Sequence, residues 1–94
     1  MRLVFDTVAL PFYDGALAAA EAGVRTGGDA RNRDYVAGRL RSTASATAEA
    51  LVLDPQTSGG LLAAVDPAVV DGLVAAGFWL VGAIEAGEPA VMLR

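Results

Sequence analysis

The pattern of apolar and polar residues predicts a strand and then a helix at the start of the chain. Residues Leu3 to Val8 are rich in β-branched and aromatic side chains, which favours a strand, and Pro11 ends it. The stretch Gly15 to Ala22 is alanine-rich and predicts a short helix. Asp14 is placed to cap this helix and Gly23 to stop it.

The middle of the chain is more polar. Residues 23–34 contain three glycines, two aspartates and three arginines, which predicts a loop. Tyr35 to Leu40 predicts a turn of helix, and Thr47 to Leu53 a second helix capped by Thr47 or Ser45. Asp54-Pro55 ends that helix, because a residue before proline disfavours the helical conformation.

The next segment predicts a strand followed by a helix. The apolar run Leu61 to Val65 is typical of a buried strand. Asp66-Pro67 then places a capping carboxylate before a proline at the first helical position. The helix that begins there is expected to end at Gly77.

The last segment predicts two more strands. Phe78 to Glu85 reads as a strand, with Trp79 in or near the core, and Gly87-Glu88-Pro89 turns the chain. Ala90 to Leu93 is expected to pair with it as a hairpin. Strands interleaved with helices indicate an α/β (α+β) fold, a small mixed sheet with helices packed on one face.

Composition then excludes several kinds of chemistry. The 94 residues contain no cysteine and no histidine, and arginine supplies all seven cations. The chain therefore has no thiolate, imidazole or amine for nucleophilic or metal chemistry. A net charge of −4 argues against a nucleic-acid partner, and the longest run free of charged and polar side chains, Leu73 to Ile84, is too short to span a membrane. We expect a cytoplasmic protein.

Two glycine-containing loops remain as candidate sites. Successive glycines let backbone N–H groups point into one concavity, which attracts anions such as phosphate. The same pairs also occur in ordinary tight turns, so a purely structural role is the alternative interpretation. The candidate residues are Gly27, Gly28 and Asn32 in the first loop, and Asp54, Gln56, Thr57, Ser58, Gly59 and Gly60 in the second.

The second loop carries a family resemblance. Residues Leu53 to Val65 closely resemble the D-P-Q-T-S-G-G-L-L motif of the selenide, water dikinases (selenophosphate synthetases). The end of the chain, Val81 to Leu93, is similar to that family's closing hairpin. An upstream run of the family is matched in order by Leu10-Pro11, Gly15-Ala16-Leu17, Ala22-Gly23-Val24, Gly27-Gly28 and Arg31-Asn32-Arg33.

The resemblance implies a fold and an activity. The family belongs to the aminoimidazole ribonucleotide synthetase-like superfamily, in which an N-terminal dimer-forming domain precedes a C-terminal α/β domain. Its reaction converts selenide, ATP and water to selenophosphate, AMP and phosphate. The resemblance therefore implies ATP and magnesium as cofactors, bound mainly by the N-terminal region, with that region and a second subunit as partners. It implies that residues 1–94 are a single, incomplete C-terminal domain.

The departures from the family pattern limit this expectation. The family's catalytic cysteine or selenocysteine and its lysine have no counterpart here, and Asp29 stands where threonine is usual. We therefore expect the chain alone to be inactive and to dimerise or aggregate. The alternatives are a piece of another superfamily member, of the thiamine-monophosphate kinase or hydrogenase-maturation type, or a non-catalytic interaction module.

Overall fold

A four-stranded mixed sheet lies at the centre of the molecule. The computed structural model describes residues 1–56 and 58–94. The strands are β1 (Arg2–Phe5), β2 (Leu40–Ser42), β3 (Gly82–Glu85) and β4 (Ala90–Leu93), in the order β2-β4-β1-β3. Strand β4 runs parallel to both of its neighbours, whereas β3 is antiparallel to β1.

Four helices accompany this sheet in the described part of the chain. They are α1 (Ala16–Glu21), α2 (Gly27–Val36), α3 (Ala46–Leu53) and α4 (Val70–Ala75), with 3-10 turns at Thr7–Ala9 and Pro67–Val69. The α/β (α+β) prediction with a small mixed sheet is confirmed.

The core is built around the two central strands. Val4 of β1 and Leu93 of β4 are almost completely buried. Leu93 is in register with both Phe5 and Ser42, so these three side chains share one face of the sheet.

Small side chains let the helices approach one another closely. Ala20 of α1 and Ala48, Ala50 and Leu53 of α3 are buried. Alanine adds little volume beyond the backbone, so α1 and α3 pack against each other with few apolar atoms between them. The resulting core is thin, as expected for a chain of this size.

The predicted helix boundaries are largely confirmed. The hydroxyl of Ser45 accepts a hydrogen bond from the Ala48 N–H at 3.1 Å, which identifies Ser45 as the cap of α3. Gly23 follows α1 and Gly77 follows α4, both with positive φ, a conformation that favours glycine at the end of a helix.

Two details of the first elements differ from prediction. Asp14 does not cap α1: the capping position is Gly15, and no side chain bonds to the first turn. Strand β1 ends at Phe5, and the rest of the predicted strand forms the turn Thr7–Ala9. The turn forms there because the Thr7 N–H and hydroxyl both donate to the carbonyl of Arg94, which directs the chain away from the sheet.

The predicted polar loop over residues 23–34 is wrong. Most of it is helix α2, whose last residues are Tyr35 and Val36. This helix has no apolar stripe, and contacts between polar groups stabilise it instead. Hydrophobic periodicity therefore gives no signal for it. Its ion pairs join Asp29 to Arg25 at 3.9 Å and to Arg33 at 3.8 Å, each at helical spacing.

The predicted hairpin between the last two strands is also wrong. Strand β1 lies between β3 and β4, so the connection 86–89 crosses the end of β1 instead of making a tight turn. The guanidinium of Arg2 lies under this connection and donates to the carbonyl of Ala86 at 3.2 Å. Strands β3 and β4 each form backbone hydrogen bonds with β1 and not with each other. The local sequence gives no indication of this pairing.

Leu61 to Val65 forms no strand among the described residues, contrary to prediction. The region Phe78 to Glu85 is a strand only from Gly82, and Trp79 is exposed. Residues 61–65 and 78–81 have strand-forming sequences, but no described strand pairs with them. An isolated strand cannot satisfy its backbone hydrogen bonds, so these residues stay irregular.

Candidate functional site

The two segments predicted as glycine-containing loops meet where α2 begins and α3 ends. The Thr26 hydroxyl donates to Asp54 Oδ1 at 2.6 Å. Six residues further along, in α2, Asn32 Nδ2 donates to the carbonyl oxygen of Leu53 at 2.7 Å. The last carbonyls of a helix have no partner within it, so Asn32 satisfies one that α3 leaves open. Polar contacts therefore join segments far apart in sequence.

A close backbone approach also joins the two loops. Gly28 is buried against the ring of Pro55. A side chain at position 28 would place its Cβ 3.0 Å from Pro55 Cδ and closer still to Cγ. The helix and the loop can touch at this point only because residue 28 has no Cβ.

Asp54 organises the second loop. Its Oδ1 accepts from Thr26, and its Oδ2 accepts from Gln56 Nε2 at 3.1 Å. Both carboxylate oxygens are therefore used within the site. Asp54 thereby fixes the start of this loop through two accepted hydrogen bonds.

Asp29 contributes a second carboxylate beside this junction. Its side chain is largely buried in the first turn of α2, where negative charge is favoured by the helix dipole. Arg25 and Arg33 flank it at ion-pair distance, while Oδ1 has no hydrogen-bond partner among the described residues. The negative charge of Asp29 is thus balanced by two guanidinium groups and not by a direct hydrogen bond to that oxygen.

Arg33 also ties α2 to α3. It donates a hydrogen bond to Glu49, and this bond lowers the pKa of Glu49 below its ordinary value. The hydrogen bond from Ser42 acts in the same direction. Glu49 is therefore ionised at neutral pH and joins α3 to α2 through Arg33.

A small cavity of about 170 Å³ adjoins the loop pair. Alanines of α1 line its apolar side, and Arg25, Thr26, Asp29 and Asp54 line its polar end. Ligand pockets for whole small molecules are commonly about 300–1,000 Å³, so this space suits at most one small group. A larger groove of about 620 Å³ lies elsewhere, and none of the predicted site residues that the structure describes lines it.

The structure divides the predicted site residues into two groups. The residues in the junction are Gly28, Asn32, Asp54 and Gln56. Gly27 starts α2 beside them, whereas Ser58, Gly59 and Gly60 are exposed further along the loop. Thr57 lies outside the described residues.

Sequence reasoning missed two members of the junction, Thr26 and Pro55. Thr26 occupies the capping position of α2, but its hydroxyl bonds to Asp54 and makes no cap hydrogen bond. In the sequence, Thr26 stands directly before Gly27-Gly28 and Pro55 directly after Asp54. Neither position is a specific signal for a site.

The junction does not fit a metal ion by itself. Within residues 1–56 and 58–94, no three acidic or other metal-ligating side chains lie close enough together to hold one. Asp54 is occupied by Thr26 and Gln56, and Asp29 by two arginines. Magnesium prefers open oxygen ligands with room for water, which this arrangement lacks. In the same described residues, no helix is both long and apolar enough to cross a membrane.

Comparison with known proteins identifies relatives of this chain. No family model matches it. It is 44% identical over 68 residues to the selenide, water dikinase of Paraburkholderia xenovorans, which covers 70% of the chain and 19% of the relative. It is 36% identical over 99 residues to that of Pseudomonas straminea, covering 94% of the chain and 27% of the relative.

A third relative agrees. The selenide, water dikinase of Burkholderia pseudomallei is 45% identical over 72 residues, covering 71% of the chain and 20% of the relative. The chain thus spans only about a fifth to a quarter of the length of these relatives. With this consistent similarity across most of its residues, the chain belongs to the selenide, water dikinase family.

Proposed function

We propose that this chain serves as part of a selenide, water dikinase, which makes selenophosphate from selenide, ATP and water. The identity of 36–45% to three relatives of that name is the observation that carries the proposal. The alternatives of a thiamine-monophosphate kinase or hydrogenase-maturation type, or of a plain interaction module, have no observation in their favour.

The proposed role of the loop pair is to form an ordered wall of the reaction site. The contacts of Thr26 with Asp54 and of Asn32 with Leu53 support this role, because they fix the two loops relative to each other. The flanking residues Ser58, Gly59 and Gly60 are exposed and available to a ligand. Hydroxyl and backbone N–H groups in such a loop suit phosphate oxygens.

The reactive groups are proposed to come from the remainder of the enzyme. This chain has no cysteine and no lysine, and its described residues do not fit magnesium. A catalytic cysteine or selenocysteine, a lysine and the main ATP and magnesium ligands would therefore be supplied by an N-terminal domain. In this division of labour, the chain orients and encloses substrate phosphates and performs no bond chemistry.

A chimaeric enzyme tests the proposal. The matching segment of the Paraburkholderia xenovorans relative is replaced by this chain, and selenide-dependent formation of AMP and selenophosphate is followed by phosphorus NMR. We expect the chimaera to be active and the isolated chain to be inactive. Turnover by the isolated chain, or a folded chimaera with no turnover, would contradict the proposal.

Variants of the chimaera separate the wall role from general folding. Asp54→Ala removes the acceptor shared by Thr26 and Gln56 and is expected to lower turnover at least about tenfold, because small misplacements in an active site have large effects. Asp34→Ala is the matched control, since Asp34 is an exposed carboxylate of α2 outside the loop pair. Equal turnover in both variants would remove the wall role while leaving the family assignment intact.

A further inference from the structure

Asp14 and Gly15 form the exposed middle of a tight turn that leads into α1. The Ala16 N–H donates to the Tyr13 carbonyl at 3.0 Å, which closes a four-residue turn with Asp14 and Gly15 at its centre. Gly15 has a φ of 82° and a ψ of −9°, the geometry of the third residue of a type II turn. Both central residues are exposed to solvent.

An aspartate that precedes a glycine can react with its own backbone. The nitrogen of the glycine attacks the side-chain carboxyl carbon, and the carboxyl hydroxyl leaves with the amide proton as water. The new N–C bond closes a five-membered succinimide ring. Water then opens the ring at either carbonyl and gives back aspartate or gives isoaspartate, in which the main chain runs through the side chain. Glycine favours the reaction because it has no Cβ to hinder the attacking nitrogen.

The sequence offers two sites for this chemistry. Of the seven aspartates, only Asp14 and Asp71 precede a glycine. Asp54 and Asp66 precede a proline, whose nitrogen has no hydrogen to lose. The two Asp-Gly pairs have nearly the same local chemistry, so the structure decides which of them reacts.

The pair at residue 71 is held in a helix. Asp71 and Gly72 both belong to α4, where the Ala76 N–H donates to the Gly72 carbonyl at 3.1 Å. Ring closure requires the backbone of the aspartate to rotate out of the helical range of ψ. Helix α4 must therefore open before Asp71 can react, and the free energy of that local opening slows the reaction.

We propose that Asp14 is a site of spontaneous isoaspartate formation in the folded chain, through a succinimide with Gly15. The hydrogen bond of the turn joins Tyr13 to Ala16, so the Gly15 N–H that must attack takes no part in it. A Cβ built at Gly15 meets no atom within 4 Å, which leaves room for the ring. The reaction needs only water and no other group of the protein.

Isomerisation at this position disturbs the start of α1. It adds one methylene to the main chain directly before Gly15, whose carbonyl accepts a hydrogen bond from the Ala19 N–H at 2.9 Å. Helix α1 has six residues and buries Ala20. A helix this short depends on its tertiary contacts, so a displaced start loosens its packing on α3.

Labelling with oxygen-18 water tests the proposal. The full chain is kept folded in labelled water at neutral pH and body temperature, digested with trypsin in ordinary water and analysed by fragmentation mass spectrometry. Each ring opening adds one labelled oxygen to the aspartate that reacted. We expect the label at Asp14 to accumulate at least about threefold faster than at Asp71, because α4 must open first. Labelling of Asp71 as fast as Asp14 would overturn the proposal.

Two controls identify the cause of the labelling. In concentrated urea both pairs should react at similar rates, and a preference for Asp14 that persists there would show that the turn does not determine it. Asp14→Glu keeps a carboxylate but would need a six-membered ring, so it should lose the label at residue 14. Label retained at that residue would exclude a succinimide with Gly15.

The isomerised chain provides a further measurement. The isoaspartyl form is separated by reversed-phase chromatography, refolded and melted beside the unmodified chain, with far-ultraviolet circular dichroism as the signal. We expect a lower Tm for the isoaspartyl form, because the start of α1 is displaced. An equal Tm would contradict the proposed effect on α1.

Discussion

The contact between Gly28 and Pro55 makes the stability of the loop junction sensitive to a single methyl group. In Gly28→Ala, the new Cβ would lie 3.0 Å from Pro55 Cδ and 3.3 Å from Pro55 Cβ, with Cγ closer still. The proline ring is fixed to the backbone, so it cannot move aside as a flexible side chain would. Overpacking of this kind costs about 1–3 kcal/mol.

Helix propensity acts in the opposite direction. Alanine is favoured over glycine within a helix by up to about 1 kcal/mol, and Gly28 belongs to α2. We therefore expect Gly28→Ala to lower the free energy of unfolding by about 1–2 kcal/mol. For a domain of this size, that corresponds to a fall in Tm of roughly 5–15 °C.

The neighbouring glycine supplies the control. In Gly27→Ala the added Cβ has no atom within 4 Å, so only the propensity term remains. This variant should be as stable as the wild type or slightly more stable. Both variants are measured by urea unfolding at one protein concentration, followed by far-ultraviolet circular dichroism. A Gly28→Ala chain as stable as Gly27→Ala would refute the close approach of α2 to the loop.

Three further variants test the contacts around the junction and the sheet. Thr26→Val removes the donor to Asp54 and should lower the free energy of unfolding by about 0.5–1.5 kcal/mol. Thr26→Ser keeps the hydroxyl and should leave the free energy of unfolding unchanged. An equal loss of stability in both variants would contradict the role of the hydrogen bond. Glu49→Gln weakens the contact with Arg33 and should cost about 0.5–1 kcal/mol at pH 7. The pKa of Glu49 is lowered in the folded chain, so the stability lost in Glu49→Gln is complete above the ordinary pKa of about 4.3 and shrinks as the pH falls below it. A loss of stability that does not vary with pH in acid unfolding would argue against the pairing of Glu49 with Arg33. Gly87→Ala should destabilise the chain by about 1–3 kcal/mol in thermal melts, because φ is +147°, a backbone conformation that L side chains rarely adopt; an unchanged Tm would exclude that geometry.

Local signals in the sequence predicted the helix ends well. Ser45 and Asp66 cap their helices through side-chain hydrogen bonds, and Gly23 follows α1 with positive φ. Such features depend on a few adjacent residues, so the sequence is sufficient to identify them. The motif around Asp54 likewise identified the family, because it is a contiguous and specific string.

Helix α2 and the hairpin show where that reasoning fails. The residues of α2 have no apolar stripe, and the helix depends on ion pairs and on the bond of Asn32 to the end of α3. The last two strands are adjacent in sequence but separated by β1 in space. Neither arrangement can be obtained from periodicity, which reports only which residues avoid water.

By itself, then, the sequence determined the family, the mixed α/β class, the Ser45 and Asp66 caps and the absence of cysteine and lysine chemistry, since each follows from residue identity or from short-range hydrogen bonding. Only the tertiary structure decided that Gly28 and Pro55 touch, that Thr26 belongs to the site and that the segment from Leu61 to Val65 is left exposed. These outcomes depend on contacts between residues far apart in the chain and on which strands find a partner. The free energy of such contacts is set by packing and pairing in three dimensions, to which local sequence contributes only part.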